Sequence, residues 1–191
     1  MIAHKLHNLD PMAKARRPHL RSTISSDSDL ALSQREQLFV LISQIAYHRE
    51  RKLEAELAPL GVSVQLWRSM VVIHRIVDCS MSDLSRFSLA DRTTLTRSVD
   101  QLVAKDMVER YVSPEDRRLV LLRLTADGVR LFDTALAITR KVNAEIVEHA
   151  PPPDTKRLAD TLEGLLGGLV PDAEELATLV GFAREGVGEA E

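Results

Sequence analysis

Cysteine is almost missing from this 191-residue chain, which carries one, Cys79. A single thiol excludes an intrachain disulfide framework and fits a reducing compartment. Aromatic residues are scarce, at 4%, so a core has to be assembled from Leu, Val, Ile and Ala. No apolar run approaches the roughly 20 residues needed to span a bilayer, and the N-terminus lacks the continuous apolar stretch of a secretory signal. A soluble cytoplasmic protein with no membrane partner is expected. Catalytic signatures are lacking as well: there is no Gly-rich phosphate loop, no H-E-x-x-H, no G-x-S-x-G and no cysteine paired with an evident base. Neither an enzyme nor a cofactor is expected. His48, His74 and His149 have no spacing suited to a zinc site, so no metal is expected either.

What is present describes an ordinary globular protein, 45% hydrophobic and 28% charged. The length allows one domain of about 150 residues plus extensions. A net charge of −3 does not by itself announce a nucleic-acid binder. The distribution is more telling. Acidic residues crowd the end (Asp172, Glu174, Glu175, Glu185, Glu189, Glu191), while arginines gather between Arg86 and Arg130. Fields act over a Debye length of about 8–10 Å, so a basic patch can work on a weakly acidic protein.

Residues 1–30 mix Lys14, Arg16, Arg17 and Arg21 with Pro11, Pro18 and a Ser/Asp run, and read as a flexible arm. Ser33 and Glu36 form a capping box for a helix to about Ala58, with Leu38, Ile42, Ile45, Leu53 and Leu57 as its apolar stripe. Ser63 caps a second helix bearing Leu66, Met70, Ile73 and Val77. A short helix from Ser80 carries Leu84 and Phe87; after a turn at Ser88-Leu89-Ala90, Asp91 caps another helix to about Lys105. Met107–Val112 and Leu119–Leu124 flank a turn at Pro114-Glu115-Asp116 and read as a β-hairpin. Thr125 then caps a long helix (Leu131, Ala135, Ile138, Val142, Ile146) that ends before Pro151-Pro152-Pro153. Leu158, Leu162, Leu165 and Leu169 mark one more helix, and Asp172 to Arg184 a last one. The pattern is mainly α with a small β-hairpin.

On the helix after Asp91, Leu95, Val99 and Leu102 share one face, while Thr93, Thr96, Arg97 and Asp100 lie opposite with Arg92 on the flank. Such a face is either an ordinary solvated surface or a reader of the major groove. Arginine there can donate two hydrogen bonds to guanine, and threonine offers a hydroxyl and a methyl. The helix–turn–helix order and the hairpin beyond it favour the groove. At the hairpin tip, Arg117 and Arg118 stand beside Asp116. These residues either face solvent or enter a narrow minor groove, with Asp116 orienting one guanidinium.

The run Asp91-Arg92-Thr93-Thr94-Leu95-Thr96-Arg97, then Val99-Asp100-Gln101-Leu102 and Val108-Glu109-Arg110, resembles the recognition helix and first wing strand of MarR-type regulators. Asp116-Arg117-Arg118 and Leu124-Thr125-Ala126-Asp127-Gly128 are similar to that family's D-x-R wing and L-T-x-x-G junction, the likeness covering roughly residues 33–170. The resemblance implies a winged helix-turn-helix domain at 61–125, a dimerisation helix at 31–60 and C-terminal dimerisation helices at 126–191. It further implies a homodimeric transcriptional regulator, expected to be a repressor, on a pseudo-palindromic double-stranded DNA operator. Arg92, Thr93, Thr96 and Arg97 would match its base- or phosphate-contacting positions, and Asp116 and Arg118 its wing pair. Where the family often has glycine, this chain has Lys105-Asp106, so one of those residues must take glycine's conformation.

Release by a small aromatic or phenolic effector is a further implication. Tyr47, His48, Trp67, Arg68 and His74 are candidates to line its pocket, with Arg68 attracting a carboxylate; each can equally be packing or surface. Cys79 is the one candidate for redox sensing, against the plainer reading of a small buried hydrophobe. The alternative function is a protein-interaction module whose winged lobe binds another protein.

Overall fold

The computed structural model describes residues 33–88, 90–148 and 155–184. The expected arm at 1–30, Leu89, His149 and the triple proline lie outside them. The chain divides into two compact units, residues 1–44 and 45–191. Their boundary falls within α1 (Gln34–Leu57). In the first unit, Ser33 and Glu36 form the expected capping box: Ser33 N donates to Glu36 Oε2 at 2.6 Å, and Glu36 N to Ser33 Oγ at 3.3 Å.

In the second unit α1 ends at a single 3-10 turn (Ala58–Leu60) closed by Gly61, whose φ of +65° suits a residue without Cβ. Next come α2 (Val64–Arg75), β1 (Cys79–Ser80), α3 (Met81–Phe87), α4 (Arg92–Ala104), β2 (Val108–Val112), β3 (Val120–Leu124), α5 (Ala126–Val147), α6 (Thr155–Gly167) and α7 (Ala173–Arg184). The predicted hairpin is a three-stranded antiparallel sheet, β1-β3-β2, because Cys79 and Ser80 pair with Leu122 and Leu121. Two residues carry too little alternation to be read as a strand.

Other expectations shift for local reasons. Val77 is not on the buried face of α2: Ile76 turns extended, Asp78 adopts φ +58°, and Val77 is left 86% exposed. The fully buried line of α5 is Phe132, Ala135, Thr139 and Val142, with Leu131 and Ile138 half-buried beside it. On α6, Leu158 and Leu162 are exposed, and Leu169 lies beyond the helix end.

The core is built from Leu53 and Leu57 of α1, Trp67, Met70 and Ile73 of α2, Leu84 of α3, Leu95, Val99 and Leu102 of α4, Leu122 of β3, and Phe132 of α5. At its edge the L-T-x-x-G junction has a physical reason. Thr125 N donates to Met107 O at 3.1 Å and Thr125 Oγ1 to Asp106 O at 2.6 Å, which brings the start of α5 against the backbone entering β2. A Cβ on Gly128 would stand 1.9 Å from Met107 O. Gly128→Ala therefore has to force backbone apart, and a loss of about 1–3 kcal/mol or more is expected. Urea unfolding checks this; an unchanged midpoint would contradict the close approach.

Candidate nucleic-acid interface and effector cleft

Helix α4 is fixed at both ends. Asp91 caps its start, accepting from Thr94 N at 3.0 Å and from Thr94 Oγ1 at 2.7 Å. These hydrogen bonds, that of the Thr94 hydroxyl first, hold the Asp91 carboxyl below the usual carboxylate range. At its end Asp106 takes φ +57°, the conformation anticipated where no glycine is available. Leu95, Val99 and Leu102 are fully buried. Helical geometry then directs Arg92, Thr93, Thr96 and Arg97 outward, and all four are exposed. Thr96 Oγ1 donates to Arg92 O at 2.9 Å, which fixes its rotamer.

Two ion pairs brace the wing. Arg110 of β2 reaches Asp100 of α4 at 2.6 Å, so the helix and the strand leaving it share a direct tie. Glu109 and Arg123, opposite each other in the ladder, pair at 2.6 Å. The Arg123 guanidinium also lies 4.7 Å from the Tyr111 ring centroid, and the Tyr111 hydroxyl donates to Asp78. Exposure discounts the energy of each pair, but together they orient the wing. These residues were not singled out from sequence, although the cross-strand Glu109/Arg123 charges are a legible signal.

At the tip, Pro114 to Arg118 are all exposed. Asp116 does not orient a guanidinium as expected. Its Oδ1 accepts the Arg118 backbone N–H at 2.9 Å, and Ser113 Oγ accepts from Glu115 N and Asp116 N, both at 3.3 Å. The carboxylate shapes the loop, and the Arg117 and Arg118 head groups project from it.

Two adjoining cavities share Arg49, Trp67 and Val71. One, of about 200 Å³, is also lined by Arg68, Phe87, Ser88 and Phe182. The other is an open cleft of about 610 Å³ lined also by His74, Arg75, Phe132, Arg140 and Asn143. Trp67 stacks on Phe132 at 5.2 Å, and His74 on the same ring at 4.0 Å. Arg68 is already paired with Glu50. The less neutralised cation is Arg49, which donates to the neutral amide of Asn143 at 2.9 Å. Burial, and then the positive charge of Arg68, lower the Arg49 pKa. The structure thus brings Trp67, Arg68 and His74 to these cavities and leaves Tyr47 and His48 exposed on α1, edge to face with each other. Arg49, Arg75 and Phe182 were missed; His74 and Arg75 lie two turns beyond Trp67, so their helical spacing was a usable hint.

Cys79 is fully buried, and burial, reinforced by Asp83, pushes its thiol up to about 12. It stays a thiol, as a packing residue would. Among the described residues no cluster of three or more His, Cys, Asp and Glu is placed to hold a metal, and no helix is long and apolar enough to cross a membrane.

The geometry has relatives. The chain is 32% identical over 150 residues to the uncharacterised HTH-type transcriptional regulator YhbI of Bacillus subtilis, covering 78% of this chain and 94% of that protein. The sequence model of the MarR family matches residues 62–120. The chain belongs to the MarR family. A crystal structure of a mutant MarR from Escherichia coli complexed with operator DNA is 26% identical, with a TM-score of 0.60, covering 68% of this chain and 94% of the other. CouR from Rhodococcus jostii, solved bound to p-coumaroyl-CoA, shares the fold at 24% identity and a TM-score of 0.62, over 70% and 95% of the two chains. The winged helix-turn-helix of this MarR-family regulator is therefore α3, α4 and the β2–β3 wing, with β1 completing the sheet.

The Asp91 cap gives a pH dependence of definite sign. Its carboxyl is lowered in the folded state, so its contribution is complete above the unfolded value of about 3.9 and fades as pH falls through that value toward the lowered one. The first turn of α4 should loosen over that range. In Asp91→Asn the cap oxygen remains but no longer titrates, so the acid inflection of the Thr94 amide resonance should vanish. An identical inflection in both proteins would contradict the assignment.

Proposed function

We propose that this MarR-family regulator is a homodimeric repressor that binds a pseudo-palindromic DNA operator and is released by a small aromatic or phenolic anion. The observation that carries the reading is the outward face of α4, with Arg92, Thr93, Thr96 and Arg97 exposed beside the projecting Arg117 and Arg118. Arg97 fits bidentate reading of guanine in the major groove, and the methyl of Thr93 or Thr96 fits apolar contact with thymine. Arg92, at the first turn of the helix, fits a phosphate. Arg118 fits the minor groove, whose narrowness deepens the negative potential. Asp116 contributes by holding the loop rather than by touching DNA.

Dimerisation is supported by apolar side chains left in water. In the first unit these include Leu38, Phe39 and Leu41; in the second they include Ile45, Tyr47, Leu158 and Leu162. Helices with such exposed residues are suited to burial against a second copy, with 31–60 and 126–191 as the dimerisation segments and 61–125 as the reading head. Two heads must reach major grooves about 34 Å apart, so dimer geometry sets affinity.

The effector reading rests on the cleft. Arg49, Arg75 and Arg140 line it beside the Trp67–Phe132–His74 stack, which pairs positive charge with aromatic surface. A ligand that prefers a dimer of the wrong spacing draws population from the DNA-competent state. A coupling of about 1–3 kcal/mol weakens operator binding 5- to 150-fold.

Fluorescence anisotropy on a duplex bound by the wild-type protein tests the interface. Arg97→Ala should weaken specific binding by about 1–3 kcal/mol. Arg118→Ala should lower affinity and reduce the salt slope by about 1. Binding curves that both variants leave unchanged would sink the reading.

A further inference from the structure

One wall of the narrower cavity comes from α7. Phe182, near the end of α7, stacks its ring on Phe87 with centroids 4.7 Å apart and planes inclined by 21°. The Arg75 guanidinium carbon lies 4.6 Å from the Phe182 ring centroid. The same arginine donates a hydrogen bond to the Phe182 carbonyl oxygen. Phe182 therefore gives Arg75 an aromatic face and an oxygen acceptor together. An aromatic carboxylate offers the same two groups.

The wall around it has unused capacity. Ser88, which lines this cavity, has a buried hydroxyl oxygen with no hydrogen-bond partner among the described residues. A buried polar group without a partner carries a desolvation cost that a ligand oxygen would relieve. Arg49 and Arg68 line the same space.

The attachment of α7 is light. None of its residues is fully buried. It meets α6 through the two-pronged Arg184–Glu163 pair, at 2.8 and 2.7 Å on the exposed surface, and through Leu176 beside Gly167. The ring contacts and hydrogen bond that join it to α2 and α3 converge on Phe182. Phe87 closes α3, four residues before the Asp91 cap of α4, so whatever fills this slot lies against the helix-turn-helix itself.

We propose that Phe182 closes the narrower cavity adjoining the effector cleft and that α7 is a gate which an aromatic carboxylate displaces. The proposal rests on the reading of the cleft as the effector site. A gate that is shut most of the time raises the apparent dissociation constant by the inverse of its open fraction; a gate open a tenth of the time costs about tenfold.

Benzoate is a suitable probe and Trp67, the single tryptophan, the reporter. The full chain and Phe182→Ala are titrated with benzoate by Trp67 fluorescence. Hydrogen exchange across α7 is then followed in the wild-type protein with and without saturating benzoate, a readout that needs no variant to fold. Removal of the ring should tighten benzoate binding about tenfold, and benzoate should speed exchange across α7 in the wild type. Equal or weaker binding by Phe182→Ala, or slower exchange in α7, overturns the gate while leaving the effector site standing. Binding to neither protein overturns both.

Discussion

A helix that buries one face must present the other, and α4 is held to that rule. Leu95, Val99 and Leu102 are locked in the core, and Asp91 fixes where the helix begins. With rotation and start both set, the directions of Arg92, Thr93, Thr96 and Arg97 are no longer free. The Asp100–Arg110 pair ties α4 to β2, the first strand of the wing. A helix whose backbone is already fixed needs no ordering when it meets a duplex, which favours affinity without any new contact.

The electrostatics of the lower cleft complement this arrangement. Its arginines sit beside aromatic rings, and Arg68 of the adjoining cavity is paired with Glu50. Partial burial strengthens the attraction for an anion, because screening by salt and water is reduced there. Phe182 matters in the same terms: with its carbonyl on Arg75 and its ring on Phe87, it satisfies in the closed structure what a ligand would otherwise satisfy. Phe87 of α3 lines the narrower cavity that adjoins the cleft, which gives a short path by which occupancy there can bias the helix-turn-helix.

Much of this was legible in the residues. The caps at Ser33, Ser63, Ser80, Asp91 and Thr125, each a short polar side chain just before an apolar repeat, place the starts of α1 to α5. The family resemblance, with Lys105-Asp106 standing where glycine is frequent, implied a left-handed residue at this turn, which is Asp106. What stayed hidden depends on distance along the chain. Arg49 meets Asn143 across 94 residues, and Arg75 meets Phe182 across 107. No local pattern encodes such pairings. Asp116 was misjudged for a different reason: a carboxylate next to arginines suggests an ion pair, but in a tight turn the nearby backbone N–H is the closer donor.

Selection of bound duplexes from a random pool is the most direct measurement, because the recovered spacing reports both the reading head and the dimer. Two copies presenting α4 symmetrically predict an inverted repeat with half-site centres about one helical turn, or 34 Å, apart. Recovery of a lone half-site, or of no enriched sequence at all, would contradict a symmetric pair of heads built on this helix.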